Sequence, residues 1–203
     1  MKKLITLASA LSVIILLGFK TSNPHVDTYV VDTKQSNLEW YAEKVTGKHN
    51  GTILLSAGEL KNNHGSLTGS FDIDMKSIEN KDIKDASMKA KLEGHLKSAD
   101  FFDVEKHPKA TFVITSITAI PNAKAGSDNH TIKGNLTIKG KTNPISFPAI
   151  LTIMSNKVTC VGSAIVDRSK YDVRYGSKTF FADIGDKMIN DEFTLKFNIV
   201  AAQ

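Results

Sequence analysis

The chain has one cysteine, Cys160, in 203 residues. An internal disulfide is therefore excluded, so stability must come from packing and strand pairing even in an oxidising compartment. Cys160 sits among alternating apolar residues with no basic neighbour, which reads as a small core side chain and a poor nucleophile. Long apolar runs are also scarce. The one of note, Leu4 to Leu17, has 14 residues interrupted by Thr6, Ser9 and Ser12, short of the roughly 20 that span a bilayer as a helix. It follows Lys2 and Lys3, and this charge-then-apolar order is that of a secretory signal peptide. Residues 1–23 are read as that signal, cleaved between Gly18 and Pro24, with no stable membrane span left afterwards; an uncleaved N-terminal anchor is the alternative. No cysteine follows the run, so a lipid-anchored lipoprotein is not expected. Clustered positive charge is missing too. The formal charge of +5 falls to +2 once Lys2, Lys3 and Lys20 are removed, leaving 23 basic against 21 acidic residues. The lysines are spread along the chain, which argues against a nucleic-acid partner.

Spacings that carry catalysis or metal binding are largely absent. Of His25, His49, His64, His95, His107 and His130, no two stand three to five residues apart, as a zinc-type pair would. No metal and no cofactor are expected. Gly140-Lys141-Thr142 follows Gly134 with five residues between the glycines, not the four of a phosphate-binding loop, and Asn143-Pro144 comes next instead of a helix; Gly140 to Pro144 reads as a β-turn. There is no G-x-S-x-G elbow. Paired acids such as Asp72 with Asp74 are ordinarily solvated, and no catalytic residue is assigned.

What dominates the remaining 180 residues is period-two alternation, the mark of half-buried strands. Leu38, Trp40 and Ala42 share one face of residues 37–45. Gly47 to Gly51 reads as a turn, with Asn50-Gly51 suited to positive φ. Phe71, Ile73 and Met75 alternate with Asp72 and Asp74. Phe112 lies in a Thr- and Val-rich strand. Ile132, Gly134, Leu136 and Ile138 form another face. Ile145, Phe147, Ala149 and Leu151 follow, with Pro144 and Pro148 arguing for an edge or bulge. Val158, Cys160, Gly162, Ala164 and Val166 alternate next, and Phe193, Leu195, Phe197 and Ile199 close the chain. Between them, a short helical insertion near residues 80–103 places Met88, Leu92, Leu96 and Ala99 at helical spacing. About eight strands are expected in one all-β domain, antiparallel with one face wet. Pattern alone leaves a closed barrel and a two-layer sandwich both open.

Two blocks are more specific. His95-Leu96-Lys97-Ser98-Ala99-Asp100-Phe101-Phe102-Asp103 to His107-Pro108, with Phe112, resembles the H-L-K/R-S-x-D-F-F-D-x-x-K-Y/H-P-x-x-x-F pattern of the YceI-like family. Gly134-Asn135-Leu136-Thr137-Ile138-Lys139-Gly140-Lys141-Thr142-Asn143-Pro144-Ile145 is similar to that family's G-x-L-T-I-x-G-x-T-x-P-V. Weaker likeness extends over Ala164 to Tyr171 and Ile184 to Leu195, in family order. Asp167 departs from the family's asparagine, and Lys170-Tyr171 from its acidic-aromatic pair. The resemblance implies that residues 24–203 form a single lipocalin-like, eight-stranded antiparallel β-barrel. It implies a secreted or periplasmic protein and a long apolar ligand, such as a polyisoprenoid or isoprenoid quinone, inside the barrel.

The residues themselves allow the same ligand class. An interior of apolar faces suits a chain of CH₂ and CH₃ groups, and Gly69, Gly134, Gly162 and Ala164 are read as leaving space for it. The candidate ligand-binding residues are Trp40, Phe71, Ile73, Phe112, Leu136, Ile138, Phe147, Phe193 and Leu195. For each, lining a cavity and packing a filled interior both stay open. The leading expectation is a non-enzymatic lipid carrier, compatible with a homodimer. An enzyme working at the barrel mouth and a filled-barrel stress or interaction protein are the alternatives. In the filled case, Asp100 to Asp103 acts only as a lid closing one end.

Overall fold

A computed structural model describes residues 26–203; the expected signal segment, residues 1–23, lies outside them. Nine strands form one antiparallel sheet: β1 (Val26–Val31), β2 (Asn37–Lys44), β3 (Gly47–Asn63), β4 (Ser66–Asn80), β5 (Lys109–Ala119), β6 (His130–Ile138), β7 (Lys141–Met154), β8 (Lys157–Asp167) and β9 (Glu192–Ala202). β3 pairs with β4 at one end of the order and, through β2, with β9 at the other, so the sheet closes on itself. β1 and β2 both lie between β3 and β9, β1 beside Glu59–Asn63 and β2 beside Gly47–Ile53. They occupy one position, interrupted at residues 32–36. The result is a barrel of eight positions, which removes the exposed edges that a flat sheet would leave. This decides for the barrel over the sandwich.

The alternation is realised in the burial. Ile132, Leu136 and Ile138 point inward on β6, Val158, Cys160, Ala164 and Val166 on β8, and all are buried. The hairpin turns use left-handed residues where two-residue loops demand them: His64-Gly65 between β3 and β4, and Lys139-Gly140 between β6 and β7. The latter turn is shorter than the sequence reading, since Lys141 to Pro144 already belong to β7. β7 pairs with β6 over Lys141 to Ala149 but with β8 only over Ala149 to Met154. Pro144 and Pro148 thus fall on the half-strand that β8 leaves free, as expected of residues without an N–H. A 3-10 turn at Arg168–Tyr171 runs beside this half, with Asn143 Nδ2 donating to the Lys170 carbonyl at 2.9 Å.

Three readings need correction. Asn50-Gly51 is not a turn; the reversal is at Val45-Thr46, and Gly51 lies within β3, paired with Trp40. The indole covers Gly51: a Cβ there would stand 2.5 Å from Trp40 Cζ2 and also meet the Glu79 carbonyl. Second, the helix α1 (Ala86–Lys97) fills only part of the 80–103 insertion and ends before Ala99; it is capped by Asp85, whose carboxylate accepts from the Met88 amide at 2.8 Å. Met88 is exposed, and no residue of α1 is fully buried; only its far end, at Leu96, packs on the core. Third, the inward glycines do not create voids. A Cβ at Gly69 would lie 2.7 Å from Leu60 Cδ2, one at Gly162 2.9 Å from Phe197 Cζ, and one at Gly134 would enter the Phe112 ring. These positions are bare because neighbouring side chains lie across them.

Candidate functional site

Two cavities lie end to end inside the barrel, of about 90 and 100 Å³ as space open to a water-sized sphere. One water needs about 10–15 Å³ by this measure, so the interior is not packed shut. They share Ile73, Leu136, Val166 and Leu195 as lining residues and so lie against one another. The inner cavity carries a run of aromatic contacts across four strands: Phe71–Phe112 at 6.4 Å between ring centroids, Phe112–Phe147 at 5.6 Å and Phe147–Phe197 at 5.3 Å. Cys160 also lines it, and burial pushes its thiol up to about 12, keeping it neutral and unreactive.

The second cavity borders a third, a wider mouth of about 470 Å³, with which it shares Trp40, Ala42, Leu96, Phe101 and Ile189. The mouth's lining changes character, adding Glu43, Lys44, His49, His95, Tyr175, Asp186 and Lys187. All nine sequence-predicted residues line these adjacent cavities. Phe71, Ile73, Phe112, Leu136, Phe147 and Leu195 line the inner cavity. Trp40, Ile138 and Phe193 line the second, where Ile73, Leu136 and Leu195 recur. Trp40 faces the mouth as well.

Sequence reasoning missed the rim. Phe101 and Phe102 do more than cap the end: their rings meet at 5.1 Å and line the second cavity. The segment between the 3-10 turn and β9 supplies Tyr175 and Ile189. Arg168, 2% exposed, organises it. Its Nε donates to Asn190 O at 3.1 Å, Nη1 to Val173 O at 3.0 Å and Tyr175 O at 2.8 Å, and Nη2 to Ile189 O at 3.0 Å. Nη2 also stands 3.2 Å from Asp191 Oδ1, an ion-pair distance without hydrogen-bond geometry. The guanidinium lies 5.4 Å from the Phe101 ring centre. Burial lowers the Arg168 pKa, with Asp191 and Asp167 opposing. Arg168 borders the second cavity, but four of its N–H groups are already donated to backbone carbonyls. The motif that contains it was visible in sequence, yet an arginine beside a serine and a lysine looks like a solvated turn. The unusual Asp167 does what asparagine's oxygen can do: its carboxylate accepts from Ser169 N at 3.0 Å and Ser169 Oγ at 2.6 Å.

Among the described residues, no group of three or more His, Cys, Asp or Glu comes together to hold a metal, and no helix is long and apolar enough to cross a membrane.

A YceI-like domain model matches residues 29–201. The chain belongs to the YceI-like family. This YceI-like domain is 42% identical over 62 residues to a UPF0312 protein of Pectobacterium atrosepticum, a match spanning 30% of this chain and only 29% of that relative. Among solved structures it is similar to Burkholderia cenocepacia BcnA, at 25% identity and a TM-score of 0.64, over 85% of this chain and 99% of the other. It shares its fold with a polyisoprenoid binding domain from Saccharophagus degradans implicated in plant cell wall breakdown, at 15% identity and a TM-score of 0.58, over 86% and 97% of the two chains. The family's barrel, expected from the two sequence blocks, is the observed one.

Proposed function

We propose that this YceI-like domain binds and carries one long apolar lipid, of the polyisoprenoid or isoprenoid quinone class, within its barrel and without chemical turnover. The observation that carries the reading is the interior itself: two adjacent cavities lined almost wholly by aliphatic and aromatic side chains, the second bordering a wider, partly polar mouth. Each methylene transferred from water into such a lining is worth about 0.8 kcal/mol, so a long chain gains affinity with few hydrogen bonds. The name of the Saccharophagus neighbour agrees with this ligand class. The inner cavities offer no pair of titratable groups for catalysis; Arg168 is committed to backbone carbonyls and Cys160 is held neutral. We also propose export to the periplasm or beyond, supported by the basic start and apolar run of residues 1–23.

The test is to purify the protein from its natural host and analyse its organic extract by mass spectrometry. A prenyl-type lipid in near-stoichiometric amount is expected, on a chain that begins between residues 19 and 24. Trp40, the only tryptophan, borders the second cavity and the mouth and serves as the reporter for lipid titration. If no apolar molecule co-purifies and titrated isoprenoids leave Trp40 fluorescence unchanged, the reading fails.

A further inference from the structure

The mouth carries most of the polar lining, and its polar groups differ in what they have left to offer. Glu43 and Asp186 balance Lys44 and Lys187 in formal charge. His49 Nδ1 stands 2.8 Å from Asp82 Oδ2. Asp82 is itself fixed, accepting from Asn50 N at 2.9 Å and Asn80 Nδ2 at 2.6 Å, and Asn80 is fully buried. Burial pushes the Asp82 pKa up, but these bonds and His49 outweigh it and hold the carboxyl below its ordinary value. An ionised carboxylate only accepts, so the His49 proton sits on Nδ1. In the neutral ring, Nε2 on the opposite edge is then an acceptor, and it has no partner among the described residues. His95, also in the mouth, is packed edge-on against Tyr175 at 4.3 Å and Phe101 at 5.8 Å and forms wall.

From this geometry we infer that the ligand is an amphiphile with a neutral hydroxyl-bearing head, seated in the mouth and donating its O–H to His49 Nε2 while its apolar tail fills the inner cavities. The inference rests on the lipid-binding reading and names the head-group chemistry of the same site. The balanced formal charge favours an uncharged head over a phosphate. Asp82 acts as a positioning residue that fixes which nitrogen accepts.

The test compares geranylgeraniol with its methyl ether, which keeps the tail and the oxygen but lacks the donor, and with geranylgeranyl phosphate, by Trp40 fluorescence and calorimetry. The alcohol is expected to bind about five- to tenfold tighter than the ether, the scale of one net hydrogen bond. His49→Phe is expected to abolish that preference, so that alcohol and ether bind equally. His49→Gln, which keeps a carbonyl acceptor and tests the point should the Phe variant fold poorly, is expected to retain part of it. Equal binding of alcohol and ether to the unaltered protein overturns the inference but leaves the lipid-binding reading intact. So does a preference that survives in His49→Phe, or phosphate binding tighter than alcohol. If none of the three binds, the lipid-binding reading fails and this inference falls with it.

Discussion

At the scale of single residues, the barrel turns on where side chains are missing as much as on where they stand. Gly51 and Gly94 look alike in sequence but differ in surroundings. Trp40 lies across Gly51, whereas nothing stands within 4 Å of a Cβ built at Gly94 in α1. Gly51→Ala is therefore expected to destabilise by about 2–3 kcal/mol, through overpacking against a ring and a strand carbonyl. Gly94→Ala is expected to stabilise by about 0.5–1 kcal/mol, because alanine loses less backbone entropy in a helix. Urea denaturation of the two variants with the parent checks both signs. Asn50-Gly51 has turn chemistry, and only the indole packed against it from β2 reveals why a glycine is required inside a strand. Alternation could place Trp40 inward; it could not say what lay under the ring.

At the scale of elements, the segment from Arg168 to Asp191 has little regular structure, only two short 3-10 turns. Its backbone carbonyls turn inward to one guanidinium, and this replaces the strand ladder that orders the rest. Arg168→Met keeps much of the apolar stem but leaves the Asn190, Val173, Tyr175 and Ile189 carbonyls without their donor. A cost of about 3 kcal/mol is expected, with cleavage by a limiting protease moving into residues 172–191. Unchanged cleavage there would show that the segment is held by other contacts. No periodicity marks such a segment, since its order comes from one side chain reaching carbonyls up to 22 positions away. β1 was missed for a related reason. It is six residues long, and its place between β3 and β9 depends on β2 stopping short of both.

At the scale of the whole molecule, closure makes stability depend on acids that tie distant parts together. Asp82 links β3 to the stretch before α1. Asp191 links β9 to the arginine-centred segment, accepting from Thr179 Oγ1 at 2.7 Å. Burial raises both pKa values, but hydrogen bonds and the neighbouring His49 or Arg168 outweigh it, so both sit below the ordinary 3.8. A depressed folded-state pKa contributes stability that is fully present above the unfolded value and is lost as pH falls through the folded one. Stability should therefore fall below about pH 4, and Asp82→Asn should flatten part of that fall in acid denaturation curves. The same closure explains how much could be read in advance. Alternating side chains dictated the strands and their inward faces, because a two-residue period leaves an amphipathic strand no other orientation. The His64-Gly65 turn was legible because left-handed backbone favours few residue types, and Gly140 marked a second, although its turn is Lys139-Gly140 and not the longer Gly140 to Pro144. Those constraints are local, so one chain carries them legibly. Whether the inward faces would meet or leave cavities is not local. Each cavity is a small difference between the volume that eight strand positions enclose and the volume that the rings of Phe71, Phe112, Phe147 and Phe197 fill. That difference, and the pairing of His49 with an aspartate 33 positions away, came into being only when the barrel closed.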